Sequence, residues 1–275
     1  MKNLKHIFRT FFVTLILFTS CETTDDGSND CNGICNLATS EDFSNLKEVA
    51  LENLTQNFQF NADDGSITLT SDKGVQININ GACLTLNGVA VTGQVNLEFV
   101  ELFEKGNMLI TNKPTMGILP NGDKALLISG GEFFIEATQN GEALETTCNI
   151  QMIIPSDLTG GTDGSMILWE GTIDENDNLT WNEEEKDNPA QGGVFGEGDQ
   201  YYAFIGDFGW SNVDRFYNDP RPKTTILVDV PEGYDNTNSS VFLSYDGEAT
   251  GLACLLYKSP SPRDHSRYLV CRLLL

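Results

Sequence analysis

The chain has 275 residues, with 16 Lys and Arg against 40 Asp and Glu, a formal net charge of −24 and 40% hydrophobic residues. That length suits one large β domain or two small ones. A field this negative repels nucleic acid and anionic headgroups, which excludes nucleic-acid binding, and it attracts cations.

The two histidines, His6 and His265, lie near the ends. The body of the chain therefore has no residues for a Ser-His-Asp or Cys-His centre, or for a His-bearing zinc site. At the start, Lys2, Lys5 and Arg9 precede or adjoin an apolar run over 11–18, followed by Thr19-Ser20-Cys21. The run is too short to span a bilayer and predicts a signal peptide over 1–20. A Cys after small residues at the end of such a run resembles a bacterial lipobox, with Phe18 where Leu is usual. The resemblance implies that Cys21 is diacylated and anchors the protein to a membrane; ordinary cleavage near Ser20 is the alternative. Residues 21–37 are polar, acidic and Gly-containing, as in a flexible tether. Acids placed this soon after the Cys resemble the export signals of surface-exposed Bacteroidota lipoproteins, which implies display at the outer membrane. At the other end, CLLYKSPSPRDHSRYLVCRLLL adds Lys258, Arg263, Arg267 and Arg272 and breaks the acidic pattern. It resembles translated sequencing-adapter read-through, so residues 254–275 are expected to be non-native.

Between the ends, Thr39-x-x-Asp42 predicts a capped helix over 42–53, with Phe43, Leu46, Ala50 and Leu54 on one face. The period then changes to two. Phe58 and Phe60 alternate, as do Ile67 with Leu69 and Val75 with Ile77 and Ile79, around turns at Asp63-Asp64-Gly65 and Asp72-Lys73-Gly74. Strands follow at 94–103, 108–110, 124–128 and 131–138; Asn140-Gly141 is a type I′ turn signal, and a strand at 147–154 ends at Pro155. SDLTGGTDGS over 156–165 predicts a linker, and further strands fall at 166–172, 179–181, 200–205, 224–230 and 241–245. The expected fold is all-β: antiparallel β-sandwich-like units in two adjacent β-rich halves, 38–155 and 166–253, with one short N-terminal helix.

The order GVQININGACLTLNGVAVTGQVNLEFVELF, MLITNKPT and LLISGGEFFIEATQNGE over 74–142 resembles a ZU5-like β domain. It resembles more closely a family of uncharacterised Bacteroidota surface lipoproteins, in which GWxNxDRFYNDP follows downstream, as it does here over 209–220. The turn Asn80-Gly81-Ala82-Cys83 replaces the Pro-containing turn usual in ZU5-like domains. The resemblance covers roughly residues 55–246 and implies a β domain on a lipid anchor, with no established activity.

With Cys21 and the tail cysteines set aside, Cys31, Cys35, Cys83 and Cys148 remain, and an even count in an exported chain suggests disulfides. Cys31–Cys35 with Cys83–Cys148 is the expected pairing, because the last two border strands of one domain; free thiols are the other reading.

Four constellations bear on chemistry. Asp174, Asn176 and Asn178 with Glu185 have the spacing of a calcium loop, although Leu179 stands where that loop turns on Gly. No other cofactor is expected. Glu132 and Glu136, with Glu98 nearby, offer paired carboxylates of the kind glycoside hydrolysis uses. Trp169, Trp181, Trp210, Tyr201, Tyr202, Phe216 and Tyr217 are either core or a sugar-stacking platform. Finally, the stretch 209–234 combines Trp210, Asp214, Arg215, Phe216, Arg221 and Lys223. Asp214 and Arg215 are expected to form a charge-assisted pair, making the stretch a structural keystone rather than a binding patch. The function expected is that of a lipid-anchored, exported, non-catalytic surface protein acting in adhesion, assembly or ligand binding. A glycan-binding or carboxylate-based glycan-active module is the alternative.

Overall fold

The computed structural model describes residues 37–174, 178–184, 193–218, 226–235, 237–244, 252–254 and 268–271. The signal segment, Cys21, the tether to residue 36, Cys31, Cys35, Asn176, Glu185, Arg221 and Lys223 lie outside the described residues. Strands dominate and helices are few, so the all-β antiparallel expectation is met.

Helix α1, Ser40–Leu54, begins where the sequence marks it. Thr39 Oγ1 accepts from Asp42 N at 3.0 Å and Asp42 Oδ2 accepts from Thr39 N at 3.0 Å, which satisfies two helix-end donors reciprocally. Its buried face is rotated from the expected one. Lys47 and Ala50 are buried and Leu51 and Leu54 pack inward, whereas Leu46 is 55% exposed. Strands β1 (Gln56–Asn61), β2 (Ser66–Thr70), β3 (Gln76–Asn80) and β4 (Gln94–Leu102) follow with the alternation read in the sequence. The strand expected at 108–110 is instead part of a short helix, α2 (Lys105–Ile110), that buries Met108 and leaves Leu109 and Ile110 outward. Three apolar residues in a row fit either period. After β5 (Met116–Ile118) comes β6 (Lys124–Gln139), one strand of 16 residues where two were expected. The Asn140-Gly141 turn forms as read, with φ of 53° and 83°. β7 (Ile150–Pro155), β8 (Ile167–Ile173), β9 (Leu179–Glu183), β10 (Gly193–Glu197), β11 (Gln200–Ile205) and β12 (Gly209–Phe216) complete the large sheets. Short strands at Ile226–Asp229 and Phe242–Ser244 pair with Tyr268–Cys271 and Leu252–Cys254.

One sheet runs β1-β4-β6-β12-β8-β9-β5, with Glu142–Ala143 added to β6, and the other runs β10-β11-β7-β3-β2. Each takes strands from both sides of residues 156–165, which corrects the expectation of two adjacent halves. β12 lies beside β6 and β11 beside β7. Nor is the polar segment a free linker. Ser156–Thr159 is a 3-10 turn with Ser156 buried, and the Tyr201 hydroxyl accepts from Asp163 N at 2.7 Å and donates to Gly161 O at 3.0 Å. Composition marks a turn-rich segment, but a crossing between two sheets of one sandwich has the same composition as a linker.

The facing sheets enclose a core in which Leu97, Phe99 and Phe133 meet Ile77, Met152 and Ile154. Each such side chain contributes about 1.5–3 kcal/mol on burial. Cys83 and Cys148 are disulfide-bonded, Cα–Cα 5.6 Å, as expected for this pair. The bond adjoins a small sheet of Leu84–Leu86, Val89–Ala90 and Glu145–Thr146.

The other face of the larger sheet has its own core. β5 pairs with β6 as well as with β9, so β6, β12, β8, β9 and β5 close into a ring. Trp169 and Trp181 are fully buried there and Trp210 is nearly so. Their polar ends are met: Trp169 Nε1 donates to Asp214 O at 2.9 Å and Trp181 Nε1 to Pro114 O at 3.0 Å. Gly171 lets the indoles approach, because a Cβ there would sit 2.5 Å from Trp210 Cβ. Leu51 and Leu54 of α1 and Met108 of α2 pack onto this core.

Candidate functional site

Three stretches distant in sequence converge on the tryptophan core. The first is Ser129-Gly130-Gly131-Glu132 in β6. Opposite it in β12, Asp214 pairs with Ser129 and Asn212 with Glu132, so β6 carries one residue more than its partner. This is a β-bulge. It reverses the alternation, and Ser129 and Glu132, an odd number of residues apart, come to face the same side. Gly131 makes this possible with φ of 128°, where a Cβ would lie 2.6 Å from the Phe133 ring and 2.7 Å from that of Phe103. The second stretch is Asn212-Val213-Asp214, whose even members share the face of Trp210. The third is Lys113, which follows Asn112 (φ 55°) after α2 and holds its ammonium 5.6 Å from the Trp210 ring centroid.

The result is a sealed polar cluster: Ser129, Glu132, Asn212 and Asp214 are each 0% exposed and Lys113 is 2% exposed. Asn212 Nδ2 donates to Asp214 Oδ2 at 2.7 Å, and Ser129 Oγ donates to Asn212 Oδ1 at 3.2 Å. Both Glu132 oxygens and Asp214 Oδ1 lack a partner at hydrogen-bond geometry. Burial pushes the Glu132 carboxyl well above the ordinary range; the neighbouring Asp214 charge pushes it further, and Lys113 opposes both. Burial also raises Asp214, opposed by the nearby Ser129 hydroxyl, Asn212 amide and Gly130 N–H. Burial thus favours the protonated form of both carboxyls, while Lys113 favours the charged form of Glu132.

This arrangement corrects two expectations. Glu132 pairs with Asp214 rather than with Glu136, which lies four residues on, about 13 Å along the strand. Glu136 instead faces Glu98 in β4. Asp214 and Arg215 do not pair either, because neighbours in a strand point to opposite faces. Arg215 Nε donates to Asp163 Oδ2 at 2.6 Å across the sandwich crossing. Hydrogen bonds from Ser165 Oγ and N hold the Asp163 carboxyl below its usual range, with Arg215 adding to them. Arg215 thus pins residues 163–165.

Of the aromatic residues, Trp169, Trp181, Tyr201 and Trp210 are core, and Phe216 packs edge-on against Trp169 at 5.0 Å. Tyr202 alone among the expected group joins an outward array. Its ring stacks on Phe195 at 5.1 Å with an interplanar angle of 8°, and Phe195 lies 6.1 Å from Phe204 at 22°. Phe195 is 50% exposed. The three rings sit on the outward face of β10 and β11, beside Gln151 and Asn78 in the next strands. Tyr202 lies in the strand expected over 200–205, whereas Phe195 lies among glycines in a stretch where no strand was expected.

The calcium reading meets only half of its residues. Asp174 Oδ1 accepts from Asn178 N at 3.0 Å and from Asn178 Nδ2 at 3.2 Å, closing the β8–β9 hairpin. Among the described residues no group of three or more His, Cys, Asp or Glu is placed to hold a metal ion. A pocket of about 90 Å³ beside Trp210 is lined in part by Glu170, Glu184 and Asp207. No helix among the described residues is long and apolar enough to cross a membrane.

No protein-family model, curated protein or solved structure matches this chain.

Proposed function

We propose that this chain is an exported, lipid-anchored surface protein whose β-sandwich captures a ligand without transforming it. One observation carries the reading. The two carboxyls that burial perturbs most, Glu132 and Asp214, are sealed beneath the tryptophan core, whereas an ordered set of side chains stands on the outside of the other sheet. A glycosidase needs two carboxyls roughly 5–9.5 Å apart that both reach the scissile bond. The anchor rests on the pattern around Cys21 and on the acidic stretch behind it. Display at the outer membrane, and kinship with the ZU5-like surface lipoproteins that the motif order resembles, belong to the same proposal.

Two measurements test it. Palmitate should label wild type and not Cys21→Ala; equal labelling removes the anchor. Incubation of the full-length protein with polysaccharides should release no reducing ends, and sustained release would replace capture by catalysis.

A further inference from the structure

We propose that the outward face of the five-stranded sheet is a binding platform for a neutral glycan chain; this rests on the capture reading above and names its ligand class. Strand pairing sets two side-chain rows across this face. Thr68, Asn78, Gln151 and Phe204 align in one, and Thr70, Gln76, Ile153, Tyr202 and Phe195 in the other. Strands lie 4.7–4.9 Å apart, so the longer row spans about 19 Å. That length fits an oligosaccharide rather than a single sugar.

The chemistry changes along the rows. At the β10 edge three near-parallel rings stand together, and the outermost, Phe195, keeps half its surface in water. Toward β2 the rings give way to amides and hydroxyls already linked to one another. Thr68 Oγ1 donates to Asn78 Oδ1 at 2.6 Å, and Asn78 Nδ2 donates to Gln151 Oε1 at 3.1 Å. Those bonds fix the side chains and leave each amide with a further donor or acceptor. A pyranose has the matching pair of surfaces: an apolar C–H face for an aromatic ring, and hydroxyls that both donate and accept.

Charge selects among ligands. Neither row holds a Lys, Arg, Asp or Glu, in a chain with 56 charged side chains implied by 16 basic and 40 acidic residues. A basic peptide would find its partners elsewhere on the surface. An anionic glycan would meet the repulsion of a −24 chain with no cation in either row to offset it. The same repulsion opposes a second copy of this chain. A neutral glycan incurs neither cost.

Affinity electrophoresis of the full-length protein through hydroxyethylcellulose, mannan and soluble starch, with polygalacturonate as the anionic control, tests the assignment. At least one neutral polymer should retard wild type, and polygalacturonate should not. Phe195→Ala with Tyr202→Ala, and separately Asn78→Ala with Gln151→Ala, should each weaken that retardation about tenfold. Circular dichroism should be unchanged in both double variants. Failure of all three neutral polymers, or retardation that survives in both folded double variants, overturns the platform. Retention by an immobilised protein ligand without any glycan would overturn the platform while leaving capture in place. Release of reducing ends would overturn capture itself.

Discussion

Glu132 and Asp214 share a dry compartment, and the direction of their proton equilibria follows from that. Both carboxyls are raised in the folded state, burial being the main cause. In the unfolded chain they ionise near pH 4. The folded protein therefore holds protons that the unfolded chain has released, and the stability tied to this pair is full below about pH 4 and declines as pH rises toward the folded-state values. Asp42, Asp163 and Asp235 act oppositely. Hydrogen bonds lower them, so their contribution is complete at neutral pH and is lost only in acid. Arg215 donates to Asp163 Oδ2 and, at 3.4 Å, to Phe216 O; the Arg215 and Asp163 side chains are 34% and 38% exposed, and water weakens such a pair. Arg215→Ala should cost no more than about 1 kcal/mol in urea unfolding and leave a folded protein. Collapse of the fold would show that Arg215 anchors more than the crossing segment.

At the level of the element, the Gly130-Gly131 bulge decides which residues meet. Gly131→Ala places a Cβ against the Phe133 and Phe103 rings at a positive φ, and should lower the unfolding free energy by about 2–4 kcal/mol. An unchanged denaturation midpoint would mean that the bulge is not fixed as described. Cys83→Ser opens a link across 65 residues of sequence and should cost about 3–5 kcal/mol under oxidising conditions. The same variant compared under reducing conditions should show no difference. Local signals were legible where the chemistry is local: the Thr39 cap, the Asn140-Gly141 turn and the alternation of β3 and β4 formed as read. Glu132 was visible as an acid on a strand. Its partner was not, because the bulge changes the face by one residue and only long-range pairing with β12 brings Asp214 opposite. Phe195 was hidden by its glycine neighbours, which suit a loop and an edge strand equally.

For the whole molecule, strands from both sides of residues 156–165 share both large sheets, so neither side has a complete core of its own. Residues 37–165 expressed alone lack β11 and β12 and should show no cooperative transition, whereas a sigmoidal melt of that fragment would restore two independent halves. We propose that the two faces have separate work: the tryptophan ring and its carboxyls hold the fold, and the amide and aromatic rows would meet the ligand. Unfolding free energy measured against pH, for wild type beside Glu132→Gln, tests that division most directly. Between about pH 5 and about pH 8 wild type should lose stability and Glu132→Gln should lose less, with retention on a neutral polysaccharide equal for the two. Parallel curves, or a variant that keeps its stability but loses retention, would contradict a proton-holding pair that serves the fold alone.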